Sequence, residues 1–167
     1  MLIAIEGPDC SGKTTLFNAL RGLLDARFVE RLPLAPELFP HMNAVEARQI
    51  ALWEALYDDS RTYISDRSCF VTGPVYNSIH SRPDLNFAPH WYQRVVVAYM
   101  NTHETAIRKR LGKRGDELFD IGKLKDTIYA YSQHVPKFRH FFCTDVDSFF
   151  ANGAVHGIRR AAPPVVG

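Results

Sequence analysis

The chain has 167 residues, 46% of them apolar and 23% charged, with a net charge of +2. That describes one soluble globular domain with a proper core, and it excludes a membrane-spanning protein or a wholly basic nucleic-acid binder. The three cysteines, Cys10, Cys69 and Cys143, have no C-x-x-C and no metal-ligand spacing, which suits free thiols in a reducing cytoplasm. Glu6 interrupts the apolar start, so no signal peptide is expected.

Taken in chain order, the first element is an apolar run at 2–6, predicted as a buried parallel strand. Gly7-Pro8-Asp9-Cys10-Ser11-Gly12-Lys13-Thr14 follows, a complete G-x-x-x-x-G-K-[ST] loop. After it, apolar residues at 16, 17, 20, 23 and 24 predict a helix over 15–25. Strand, loop and helix in that order give the motif its chemistry. Gly7 and Gly12 allow consecutive N–H groups to turn inward on a phosphate. Lys13 neutralises the β- and γ-phosphates, the helix start through Thr15 adds positive potential, and the Thr14 hydroxyl is an expected Mg2+ ligand.

Further strands are predicted at 26–30, 61–65, 94–100 and 139–143. Helices are predicted at 43–58, 103–112 and 121–134. The Pro-containing stretches 31–42 and 80–90 read as loops, and 161–167 as a flexible tail. Alternating strands and helices imply an α/β fold, a five-stranded parallel sheet flanked by helices. Its ligands belong at the carboxyl ends of the strands. Glu6, Asp66 and Thr144-Asp145 all fall there and are expected to converge. Asp66 is a second candidate Mg2+ ligand, and Arg67 beside it a bidentate phosphate clamp. Arg108, Lys109, Arg110, Lys113 and Arg114 fall within seven positions, either a solvated basic helix face or a functional cluster.

These residues together resemble the thymidylate kinases, within the wider group of P-loop nucleoside and nucleotide kinases. The resemblance covers most of 1–150. Ile5-Glu6-Gly7-Pro8-Asp9 matches the E-G-x-D loop entry, and Asp66-Arg67 resembles D-R-[YH]. Gly73-Pro74-Val75-Tyr76 resembles a small-residue-plus-aromatic step. Met100 to Glu104 with Arg108 to Asp116 resembles the strand, helix and arginine-rich lid, and Thr144 to Ser148 resembles a segment near the donor base.

The resemblance implies a P-loop kinase fold, with a single domain over 1–160 and a lid near 108–120. It implies ATP and Mg2+ as cofactors and Asp145 near the donor base. Asp9 would meet the acceptor sugar, and Arg67 would clamp the acceptor and transferred phosphates. Tyr76 would exclude a ribose 2′-OH, Arg31 would hold the acceptor phosphate, and Arg48 would contact the acceptor base. Some members carry an arginine inside the phosphate loop. Cys10 stands there in this chain, which shifts that role to lid residues Arg108, Arg110 and Arg114, with Gly115 as a hinge.

The expected activity is phosphoryl transfer to a deoxynucleotide, dTMP or a modified pyrimidine relative. A second reading keeps the fold and takes a hydroxyl acceptor, a deoxynucleoside or hydroxymethyluracil in DNA, with Asp9 or Asp66 as base. Under that reading Trp91 and Tyr92 are either strand contacts or core packing. A third reading is a P-loop NTPase with no acceptor; a guanine-specific N-K-x-D is absent. The expected partner is a small-molecule nucleotide acceptor in the cytoplasm, with DNA under the second reading, no membrane, and a homodimer left open.

Overall fold

The computed structural model describes residues 1–30, 36–114 and 121–162. Five parallel strands form one sheet: β1 (Leu2–Glu6), β2 (Arg27–Val29), β3 (Tyr63–Asp66), β4 (Val95–Met100) and β5 (Arg139–Cys143), in the order β2-β3-β1-β4-β5. All five predicted strands are present: β1 and β5 with the expected bounds, β2 trimmed by one residue at each end, β4 trimmed by one at its start, and β3 shifted by one or two residues. The central strand β1 is buried along its whole length because it is paired on both sides and covered on both faces.

Strand alternation sends side chains to two cores. Leu2, Ala4, Tyr63, Val95 and Val97 meet helices α2 (Met42–Leu56), α3 (Cys69–Ile79) and α6 (Leu124–His134) on one face. Ile3, Ile5, Ile64, Val96 and Ala98 meet α1 (Lys13–Ala19) and α7 (Val146–Gly153) on the other. Trp91, in the short helix α4 (Trp91–Arg94), is fully buried and stacks on Phe70 at 4.2 Å. Of the two readings of Trp91, core packing is therefore the one observed. The half-exposed Tyr92 packs on Phe87 and Phe138. The helix α5 (Glu104–Arg114) packs Ile107 and Leu111 against Leu124 and Cys10.

Several boundaries differ from expectation for local reasons. The first helix ends at Ala19 rather than 25. The chain leaves it by turns through Gly22 at φ 76°, while Leu20 and Leu24 continue the apolar spacing into the core. Helix α3 is not among the expected helices, and it contains Gly73-Pro74, a step unfavourable to a helix interior. The helix runs through Pro74 nevertheless, started by Ser68, whose hydroxyl accepts from the Phe70 N–H at 3.3 Å. Helix α7 was not predicted either; Asp145 and Ser148 form a capping box at its start. Within the expected tail, the Ala161 N–H donates to Leu23 O at 2.8 Å, and 163–167 lie outside the described residues, as do residues 115–120 of the expected lid.

The order β2-β3-β1-β4-β5 sends the connections from β1 and β4 toward opposite edges of the sheet. A crevice opens where they part, above the carboxyl ends of these strands.

Candidate active site

The phosphate loop leaves β1 at Glu6 and enters α1 at Lys13. Gly7 (φ 142°) and Gly12 (φ 105°) take backbone angles that side chains disfavour, and Cys10 between them also turns left-handed at φ 58°. Gly7 lies close to β4: a Cβ there would sit 3.2 Å from the Met100 Cβ. The loop is pinned from outside by the Thr102 hydroxyl donating to Ser11 O at 2.7 Å, and by Arg110 Nη1 donating to Cys10 O at 3.0 Å. Lys13 curls back over the loop, with Nζ donating to Pro8 O at 2.5 Å. Burial, reinforced by the Arg67 charge, lowers its ammonium to about 7 against the partial support of Asp9, Glu6 and Asp66.

At the end of β3, Asp66 meets α1. Thr14 Oγ1 donates to Asp66 Oδ2 at 2.5 Å, while Asp66 Oδ1 is buried with no hydrogen-bond partner among the described residues. A hydroxyl beside a carboxylate with an open oxygen is the hard-oxygen donor set that Mg2+ takes, so the residues fit that ion. No cluster of three or more His, Cys, Asp or Glu suited to a metal occurs among the described residues.

Arg67 sits in the left-handed region at φ 72°, its N–H bonded to Ile5 O at 3.0 Å. Its buried guanidinium pairs with Asp9, donates from Nη1 to the Tyr131 hydroxyl at 3.1 Å, and lies 5.6 Å from the Tyr76 ring centroid. Tyr76 in turn donates its hydroxyl to Asp9 Oδ2 at 3.1 Å. Beneath them Glu6 is fully buried and accepts from the Ser68 N–H, the Thr72 hydroxyl and the Tyr131 hydroxyl at 2.7, 2.8 and 3.1 Å. Burial raises the Glu6 carboxyl above its usual range. Glu6 is thus a strut that fixes the Asp66-Arg67-Ser68 turn.

Two cavities meet at this turn. One, of about 770 Å3, lies over the phosphate loop and is lined by Lys13, Thr14, Thr15, Asn101 and Asp145. The other, of about 490 Å3, lies between the ends of β2 and β3 and helix α2, and is lined by Glu30, Glu46, Gln49 and Trp53 among apolar neighbours. Asp66 and Arg67 line both.

Asp66 and Asp145 line the cavity over the phosphate loop together, whereas Glu6 is buried beneath the Arg67 turn and lines neither cavity. Asp9, Arg67 and Tyr76 are grouped by direct contacts, with Asp9 lining the first cavity only and Tyr76 lining neither. Asp145 is also the cap of α7, which gives it a structural duty. Arg108 is paired along its own helix with Glu104 at 2.7 Å, whereas Arg110 reaches the phosphate loop. Arg48 is exposed on α2 and does not line the second cavity; the polar α2 residues there are Glu46 and Gln49. Arg31 and Gly115 lie outside the described residues, and so does the side chain of Arg114.

Sequence reasoning missed Glu30, Glu46, Gln49 and Tyr131. For Glu46 a signal existed: it interrupts the otherwise apolar helical stripe Met42, Glu46, Ile50, Trp53. Tyr131 had none, since its role depends on α6 crossing over the Arg67 turn.

No family model matches the chain, and no curated protein does. Solved structures do. Deoxyadenosine kinase from M. mycoides, with dCMP and dCDP bound, superposes with a TM-score of 0.59 at 17% identity, covering 94% of this chain and 97% of that one. The same kinase with dATP gives 0.56 at 18%, covering 94% and 98%. The YorR protein from Bacillus subtilis, in complex with phosphorylated GDP, gives 0.56 at 21%, covering 86% and 85%. The five-stranded parallel sheet flanked by helices is accordingly the fold of the P-loop kinases, which this chain shares with deoxyadenosine kinase.

Proposed function

We propose that the protein is an ATP- and Mg2+-dependent kinase that phosphorylates a deoxynucleotide, dTMP or a modified pyrimidine relative. The carrying observation is the pair of cavities joined at Asp66-Arg67, one over a phosphate loop and the other apolar with a few polar groups. The ligands of the fold neighbours, dATP in one case and dCMP with dCDP in another, support donor and acceptor of this class.

In this reading Lys13 leaves Pro8 O for the β- and γ-phosphates. Arg67, already charged and fixed by Tyr131, bridges the acceptor and transferred phosphoryl groups. Asp9 and Tyr76 bound the acceptor sugar. Mg2+ on Thr14 and Asp66 would supply further charge neutralisation at the phosphates. A phosphate acceptor is already an oxyanion, so positioning and charge suffice.

One observation favours a hydroxyl acceptor instead. Glu30 follows β2 directly and lines the second cavity, with its carboxylate paired to Arg21 at an exposed edge. A hydroxyl needs a base within reach, and Glu30 can release Arg21 to serve. Labelled ATP with a panel of deoxynucleoside monophosphates, deoxynucleosides and hydroxymethyluracil-containing DNA separates these readings. Label on a monophosphate is the expected outcome, with Glu30→Gln retaining activity. Label on a hydroxyl, lost in Glu30→Gln, assigns the second reading. Free phosphate alone overturns both.

A further inference from the structure

The acceptor cavity contains a carboxyl group that the phosphoryl-transfer reading does not use. Along α2 the residues facing the cavity are Met42, Glu46, Gln49, Leu52, Trp53 and Leu56, an apolar stripe broken only by Glu46 and the Gln49 amide. Glu46 is 4% exposed, and its Oε2 is buried with no hydrogen-bond partner among the described residues. It lies at the seam with α3, where a Cβ on Gly73 would sit 3.0 Å from Oε2. A buried carboxyl without a partner is costly, so its retention in an apolar wall calls for a ligand that completes it.

Resting on the acceptor cavity assigned above, we propose that Glu46 reads the acceptor's nucleobase, pairing its carboxyl with a ring edge that carries a hydrogen-bond donor beside an acceptor, with Gln49 one turn further along α2 as the second polar contact. The surroundings favour this pairing. Burial raises the Glu46 carboxyl to about 7, and the charge of Arg82 opposes that only in part. The Cys69 thiol on α3 is itself held up, chiefly by burial and next by Glu46, so it stays neutral. The other charged groups on the cavity wall are Arg27, Glu30 and the Asp66-Arg67 pair, the last engaged with Thr14 and Asp9. Below neutral pH Glu46 therefore offers both an O–H donor and a carbonyl acceptor, which an ionised carboxylate does not. Adjacent donor and acceptor groups are what nucleobase edges present.

The test takes the acceptor that wild-type protein phosphorylates fastest from the four deoxynucleoside monophosphates and four deoxynucleosides. It compares wild type, Glu46→Gln and Glu46→Ala at saturating ATP from pH 6 to 8.5. Glu46→Gln keeps a donor and an acceptor. It is expected to hold the acceptor KM within about threefold at pH 6 and to lose the wild-type rise in KM above pH 7. Glu46→Ala is expected to raise the acceptor KM about 10- to 100-fold and flatten the ranking among bases, with the ATP KM unchanged. An acceptor KM and base ranking unchanged in Glu46→Ala would overturn the proposal. So would parallel losses for ATP and acceptor together with a collapsed thermal transition, since that pattern marks a packing role. Wild-type protein that phosphorylates none of these eight acceptors, no hydroxymethylated pyrimidine monophosphate and no hydroxymethyluracil-containing DNA would instead overturn the kinase reading itself.

Discussion

Lys13 is buried against its own loop, and burial with the nearby Arg67 charge brings its ammonium down to about 7. A triphosphate brings the negative charge that restores it. Binding of ATP near pH 8 is therefore expected to take up close to one proton, and far less at pH 6, where Lys13 is already charged. Calorimetry in two buffers of different ionisation enthalpy measures this; identical heats at pH 8 would refute it. Lys13→Ala is expected to lower turnover about 10^3-fold or more while the protein stays folded, on the scale of other charge losses at a transferring phosphoryl group. Glu46 shifts in the opposite sense, from 4.5 to about 7. Between those values the folded state holds a proton that the unfolded chain has released, so stability falls as pH rises through this window. Glu46→Gln is expected to remove that slope. Its melting temperature should gain on wild type from pH 5 to pH 8, by an increment worth about 3 kcal/mol at most. Tyr76 tests the acceptor sugar: Tyr76→Ala should raise kcat/KM for a ribonucleotide relative to its deoxy counterpart, whereas Tyr76→Phe, which loses only the bond to Asp9, should not.

Helix α5 carries the arginines to which the proposed reading gives the role left open by Cys10 in the loop. They are not equivalent. Arg108 is spent on Glu104 one turn away, while Arg110 spans from α5 to the loop carbonyl of Cys10. Replacement of each arginine by Met keeps the apolar stem and removes the charge. Arg110→Met is expected to lower kcat about 10^3-fold with little change in ATP affinity, and Arg108→Met to have a small effect. Cys10→Arg should partly restore Arg110→Met by returning charge from the loop side. Normal kcat in Arg108→Met, Arg110→Met and Arg114→Met alike would make the run a solvated face and leave Arg67 with the catalytic charge. Helix α6 contributes through one side chain: the Tyr131 hydroxyl ties Arg67 to Glu6. It holds the Arg67 guanidinium from across the sheet end and lines neither cavity.

At the scale of the whole molecule, the sheet separates two cores and leaves the site at one rim. Trp91 anchors the core on the α2, α3 and α6 face, stacked on Phe70 and donating Nε1–H to Glu54 at 2.6 Å. Trp91→Ala is expected to cost about 3–5 kcal/mol of stability. Denaturant unfolding measures it, and a loss below about 1 kcal/mol would contradict the core assignment. No helix among the described residues is long and apolar enough to cross a membrane.

What the chain order alone determined is the phosphate-loop half of the candidate site. The loop letters, the apolar run before them and the helical spacing after them are contiguous, and contiguous residues obey local rules of backbone angle and periodicity. The five strands were legible for the same reason, as short segments rich in aliphatic and aromatic residues between helical patterns. Helices α3 and α7 were not. The first contains Gly73-Pro74, an unfavourable local step that the packing of α3 against α2 and α6 outweighs, and the second is announced mainly by the cap at Asp145. The second cavity was decided by tertiary structure. Glu30, the α2 pair Glu46 and Gln49, and Arg67 come from three separate segments, and only the parallel order β2-β3-β1 with α2 laid beside it brings them around one cavity. The Arg67–Tyr131–Glu6 strut likewise joins residues as far as 125 positions apart. A partner at that distance leaves no periodic or spacing signal, because its position is set by packing of the sheet and helices rather than by the neighbours in the chain.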